Sequence, residues 1–158
     1  MIQALCDWLS NTHVSLAIQS ALWVVPAVQT VHILCVSLVM YSVAMLDLRL
    51  MGFVSRRQPI ARMVGRLLPW VWYSLIVLAA TGVILIVGEP TRELPNAAFQ
   101  AKMAMLGTVI LITVVIQQQS KKNATYWETR HVAAKLIGLV SLLLWVGIVT
   151  AGRWIAYI

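Results

Sequence analysis

The chain has 158 residues, of which 61% are hydrophobic and only 11% charged, against a net charge of +7. Soluble domains carry about 25% charged residues, so one aqueous core of this size cannot hide so much apolar surface. The basic residues stand between long uncharged runs, which excludes nucleic acid as the partner and points to lipid as the solvent.

The first segment, residues 1–20, places Ile2, Leu5, Trp8 and Leu9 on one helical face. It is expected to form a short interfacial helix on the outer leaflet, with His13 close behind. Ser10-Asn11-Thr12 offers N-caps for a new helix. There is no basic stretch followed by a short apolar run and a cleavage site, so the first span is expected to act as its own insertion signal.

A domain of four spanning helices follows over residues 21–158, with spans expected at 22–46, 67–87, 97–117 and 132–155. Each supplies roughly 20 residues, enough for about 30 Å of hydrocarbon at 1.5 Å per residue. The runs are continuous rather than alternating, so they read as helices, not barrel strands. The fold class is therefore all-α, an integral membrane four-helix bundle.

Pro26 either kinks the first span or occupies its first turn. If the span begins at Pro26, His32 lies about 9 Å below the outer interface. Trp70, Trp72 and Tyr73 in the second helix, and Trp154 and Tyr157 in the fourth, read as interface anchors. The fourth helix also aligns Gly138, Ser141, Trp145 and Gly152, a small-residue face suited to close packing within the bundle or between protomers.

Basic residues set the orientation. Arg49, Arg56, Arg57, Arg62 and Arg66 follow the first span, and Lys121, Lys122, Arg130 and Lys135 follow the third; Arg92, Lys102 and Arg153 are the other three. This asymmetry puts the first and third loops in the cytoplasm and both termini in the periplasm. Arg56, Arg57, Lys121 and Lys122 are expected to meet anionic lipid headgroups. Asp47 and Arg49 are expected to form a local charge pair that ends the first span.

Gln29, His32, Val36, Met40, Val43 and Asp47 fall near one line of the first span, a broken polar stripe of Gln29, His32 and Asp47. His32 is its informative member, because an ionisable group inside a span is costly and marks function by default. Three roles stand open: a packing hydrogen bond to Gln29, Thr81 or Ser141, a proton relay, or a ligand to haem b or copper. Met105 starts from the same outer side and can reach a similar depth; Met40 shares the His32 line and His13 can approach from the N-terminal segment. A His/Met pair suits haem b or Cu(I). Cys6 and Cys35 form no spacing motif. No nucleophile–base constellation, phosphate loop or zinc spacing is present, and no inverted repeat suggests a transporter.

Several stretches carry a resemblance: Leu22-Trp23-Val24-Val25-Pro26 with Val31-His32-Ile33-Leu34, Asp47-Leu48-Arg49-Leu50-Met51-Gly52, Leu68-Pro69-Trp70, Thr81-Gly82, Phe99-Gln100-Ala101-Lys102 and Gly152-Arg153-Trp154-Ile155-Ala156-Tyr157. Spread over nearly the whole chain, they resemble an uncharacterised family of small bacterial inner-membrane proteins. The resemblance implies the four-helix fold and that membrane, with no activity attached. Gln29 stands where that family often has an acidic residue. More distantly, a histidine-bearing four-helix core is similar to copper-resistance membrane proteins and b-type cytochromes, an analogy of architecture. Di-haem cytochromes place paired histidines on facing helices, whereas here only His32 lies deep in a span, which speaks against a two-haem path. The leading expectation is a redox or metal-handling membrane protein using His32. The others are a non-catalytic accessory subunit of a larger complex and a lipid- or small-molecule-binding protein; a homo-oligomer is expected as well.

Overall fold

Continuous apolar sequence in a solvent that satisfies no backbone groups leaves the helix as the available structure, and helices are what form. The computed structural model describes residues 7–54, 57–88, 90 and 96–154. Its helices are α1 (His13–Ser20), α2 (Val24–Met51), α3 (Ile60–Gly88), α4 (Ala97–Lys122), α5 (Tyr126–Thr129) and α6 (His131–Trp154). Among the described residues there is no strand. α2, α3, α4 and α6 are each long and apolar enough to cross a membrane.

Local chemistry sets the ends of these helices. The Thr12 hydroxyl accepts from the Ser15 amide at 3.3 Å to start α1, and the Asn96 side chain accepts from Ala98 N at 2.9 Å to start α4. Pro26 falls in the first turn of α2, where its missing N–H is no loss. That helix stops at Gly52, whose φ of 84° is left-handed; Gly52 N donates to Arg49 O and Phe53 N to Leu48 O. Pro69 lies inside α3, where its ring takes the place of a bond to the Gly65 carbonyl one turn earlier.

α2 packs broadly against α3 on one side and α6 on the other, and α6 packs in turn on α4; α3 and α4 meet over a shorter stretch. Two apolar clusters fill the centre. One, around Leu46, Leu50, Met63, Leu68, Ile116 and Trp127, lies towards the end where Arg49, Lys121 and Lys135 gather. The other, around Val39, Val43, Val71, Val109 and Trp145, continues towards the far end. Large apolar side chains such as Leu22, Ile76, Leu111 and Leu143 point outward, while Ser42, Ser74, Thr113 and Ser141 are buried. This inverts the soluble pattern, as lipid contact requires, and hydroxyls such as Thr113 bond back to their own helix, here Val109 O at 2.8 Å. The small-residue face of α6 is filled from within the chain, Gly138 by α2 and Gly152 by Lys102 of α4.

Of the expected interfacial face, Ile2 and Leu5 lie outside the described residues, and Trp8 is exposed. α1, which follows it, has a task that the sequence did not disclose. Ser15 Oγ donates to Val87 O at 2.7 Å and Gln19 Nε2 donates to Gly88 O at 3.1 Å, so α1 caps the last carbonyls of α3.

At the basic end, α5 acts as a latch. Trp127 is buried, and Glu128 accepts from Ile60 N, an otherwise orphan amide at the start of α3, at 3.3 Å. Arg49 donates to Gln58 O from Nε at 3.0 Å and from Nη2 at 2.6 Å, with the Glu128 carboxylate 3.9 Å away. Glu128→Ala is expected to cost about 0.5–1.5 kcal/mol, since it removes one cap bond and a half-exposed ion pair. Glu128→Gln, which keeps an acceptor for Ile60 N, should recover most of that loss in thermal melts of the purified protein.

Candidate functional site

His32 stands eight residues into α2, about 12 Å along the helix axis. Its Nδ1 lies 2.7 Å from Thr81 Oγ1 on α3. The Thr81 hydroxyl also lies 2.8 Å from Val77 O and 3.2 Å from Leu78 O, so its single proton is given to its own helix. With that proton on its own helix, Thr81 accepts from the Nδ1–H tautomer of His32, the form whose lone pair is on Nε2. Of the three packing partners the sequence offered, Thr81 is the one that meets the ring.

Two glycines and a lysine complete the surroundings. Gly82 lies beside the imidazole; a Cβ there would sit 3.9 Å from His32 Cε1. Lys102 of α4 is the charge that acts on His32. Its stem lies along Gly152 of α6, with Nζ 3.5 Å from where a Cβ would stand. All four long helices thus contribute to one region away from the basic end: the His32 imidazole, bonded through Nδ1, and the Lys102 cation.

The other candidates are distributed differently. Met105 rests against Gly147 of α6, its Sδ 3.0 Å from the position of a Cβ. Met40 and Met105 both pack on the Val109–Trp145 cluster in the bundle centre. His13 is exposed on the first turn of α1, and Gln29 is exposed near the start of α2. Cys35 is a half-buried free thiol. Arg57, Lys121 and Lys122 are exposed at the basic end, whereas Arg56 lies outside the described residues. Trp70, Tyr73 and Trp154 are exposed as interface anchors would be. Trp72 instead turns inward and donates to Gln117 Oε1 at 3.1 Å; Tyr157 lies outside the described residues.

Asp47 corrects an expectation. Rather than pairing with Arg49, it is 1% exposed, and neither carboxylate oxygen has a hydrogen-bond partner. Ser141 of α6 is the polar side chain that acts on it, outside hydrogen-bond geometry. Residues two apart on a helix point to nearly opposite sides, so Arg49 turns to the loop while Asp47 turns into the core. Acid and histidine are fifteen residues apart, about 22 Å along α2, and belong to opposite ends of the bundle.

Among the described residues no three His, Cys, Asp or Glu side chains gather as a metal site. No curated protein and no solved structure matches the chain. A family model described as a family of unknown function (DUF6644) matches residues 18–158, from within α1 through all four long helices, and the chain belongs to that family.

Proposed function

We propose that this is a bacterial inner-membrane protein that binds haem b through His32 in a redox role, with both chain ends in the periplasm. The observation that carries it is the His32–Thr81 bond, which holds the ring by Nδ1 and presents Nε2 as a free ligand. A tetrapyrrole brings four nitrogens of its own, so one or two protein ligands suffice where a bare ion would need three or four. Lys102 favours the same choice over copper: a cation beside the histidine repels Cu(I) and suits the propionates of haem. When bound, the haem would supply one-electron exchange. The chain's own part is to hold the iron through Nε2, orient the ring through Thr81 and balance charge through Lys102. The concentration of bases in the loops after α2 and α4 supports a cytoplasmic position for that end and a periplasmic one for the His32 region.

The test is an absorption spectrum, oxidised and dithionite-reduced, with iron and copper analysis of the same detergent-purified sample. A Soret band with stoichiometric iron, lost in His32→Ala while the melting temperature is kept, is the expected result. Met105→Leu then separates a second protein ligand, which would shift the reduced spectrum, from core filler, which would not. A protein expressed with ample haem that folds but takes up neither haem nor copper would sink the proposal.

A further inference from the structure

Asp47 lies one turn before the end of α2, yet it is sealed into the α2–α6 contact with both oxygens unpartnered. Taking a carboxylate out of water without a partner costs several kcal/mol. In spanning helices, such acids mark ion or proton pathways. Among the described residues, the elements around Asp47 supply no counter-charge. α6 brings Gly138 and Ser141, and α3 brings Met63, Val64 and Leu68, with Arg62 and Arg66 exposed. α4 brings Ile116 and the buried Ser120, and Glu128 of α5 is engaged with Arg49 and Ile60. Lys135 and His131 lie further down α6 and are exposed.

A way in is present on the same side. A cavity of about 410 Å³ opens at the basic end, lined by Leu50 and Met51 of α2, Gln58, Trp127, and His131 and Lys135 of α6. It reaches the turn of α2 directly after Asp47. Leu50 and Met51 line the cavity and also pack at Gly138 beside the Asp47 backbone, and the thioether chain of Met51 is flexible.

We propose that Asp47 is a proton-binding site of the bundle, loaded and emptied through this cavity from the basic end. On release, the carboxyl O–H bond breaks, its electron pair stays on Asp47 and the proton passes to cavity water; loading is the reverse. A metal cation is disfavoured as the occupant, because Arg49, Arg57 and Lys135 line the cavity against the one acid Glu128, whereas a proton travels by water. The site is independent of any haem at His32.

The experiment is infrared spectroscopy of the wild type and Asp47→Asn in lipid nanodiscs over a pH series, in H2O and D2O. In parallel, the wild type is treated with dicyclohexylcarbodiimide, which modifies protonated carboxyls in apolar surroundings. The expected result is a carboxylic acid carbonyl band that titrates, shifts in D2O and is absent from Asp47→Asn, with the carbodiimide adduct mapped to Asp47. Asp47→Asn should melt at or above the wild-type temperature, because it removes an uncompensated buried acid. Only ionised carboxylate signals at every pH, with no adduct on Asp47, would overturn the proposal. So would a band that survives in Asp47→Asn, or adduct formation suppressed by sodium at constant pH. A band that does not shift in D2O overturns the cavity route. Should Asp47→Asn fail to fold, the adduct on the wild type decides.

Discussion

Gly138→Ala is expected to destabilise the protein by about 1–3 kcal/mol. Its new Cβ would stand 2.9 Å from the Asp47 carbonyl oxygen, 3.1 Å from Leu50 Cβ and 3.3 Å from Met51 Cγ. The first of these is main-chain oxygen within the helix, one turn before its end, and cannot rotate away, so α2 and α6 must part there. In lipid that separation is not opposed by a hydrophobic effect between helices, because close packing itself is what holds them. Gly107→Ala is the matched control. It adds the same methyl group to a position with nothing within 4 Å and should gain up to about 1 kcal/mol of helix propensity. Thermal melts of both variants in the same detergent measure the contrast. If Gly138→Ala melted with Gly107→Ala, the close α2–α6 approach would be refuted.

Thr81→Val is expected to weaken haem binding about 10- to 100-fold while leaving the bundle folded, the usual scale for losing the partner that orients a ligating histidine. Valine keeps the branched shape but removes the hydroxyl that Nδ1 meets. The ring is then free to turn, and the proton is no longer held away from Nε2. Thr81→Ser restores the acceptor and should bind as the wild type does. Haem titration followed by absorbance measures all three proteins. Equal affinity across the series would mean that the hydroxyl neither fixes the tautomer nor positions the ring. His32→Ala sets the floor, with complete loss of the ligated spectrum.

The candidate site was partly legible in the sequence. His32 stood out because an ionisable group in an apolar run is conspicuous, and Thr81 was among its offered partners. Counting residues from helix ends gives approximate depth and favours Thr81, near the end of α3, over Ser141, but it does not say which face of α3 meets the ring. Asp47 shows the opposite difficulty. Its nearness to Arg49 in sequence suggested a pair, but helical geometry sends the two to opposite sides. Arg49 finds Gln58 and Glu128 instead, the latter 79 positions away. Likewise, nothing in residues 13–20 announces that Ser15 and Gln19 will cap a helix ending near residue 88.

The sequence by itself determined that this chain is an all-helical membrane bundle, because apolar run length and backbone hydrogen bonding leave one solution in lipid. Its apolar runs marked the crossings but not the helix limits: the helices expected at 22–46, 67–87 and 97–117 run on to Met51, back to Ile60 and on to Lys122, with Thr12, Asn96 and Gly52 as local caps. Only the tertiary structure decided which side chains meet. The rotation of each helix about its own axis is chosen by packing detail, since an apolar surface faces lipid as readily as it faces another helix. That choice, set by Gly138, Gly147 and Gly152 of α6, is what buries Asp47 alone and brings Lys102 towards His32.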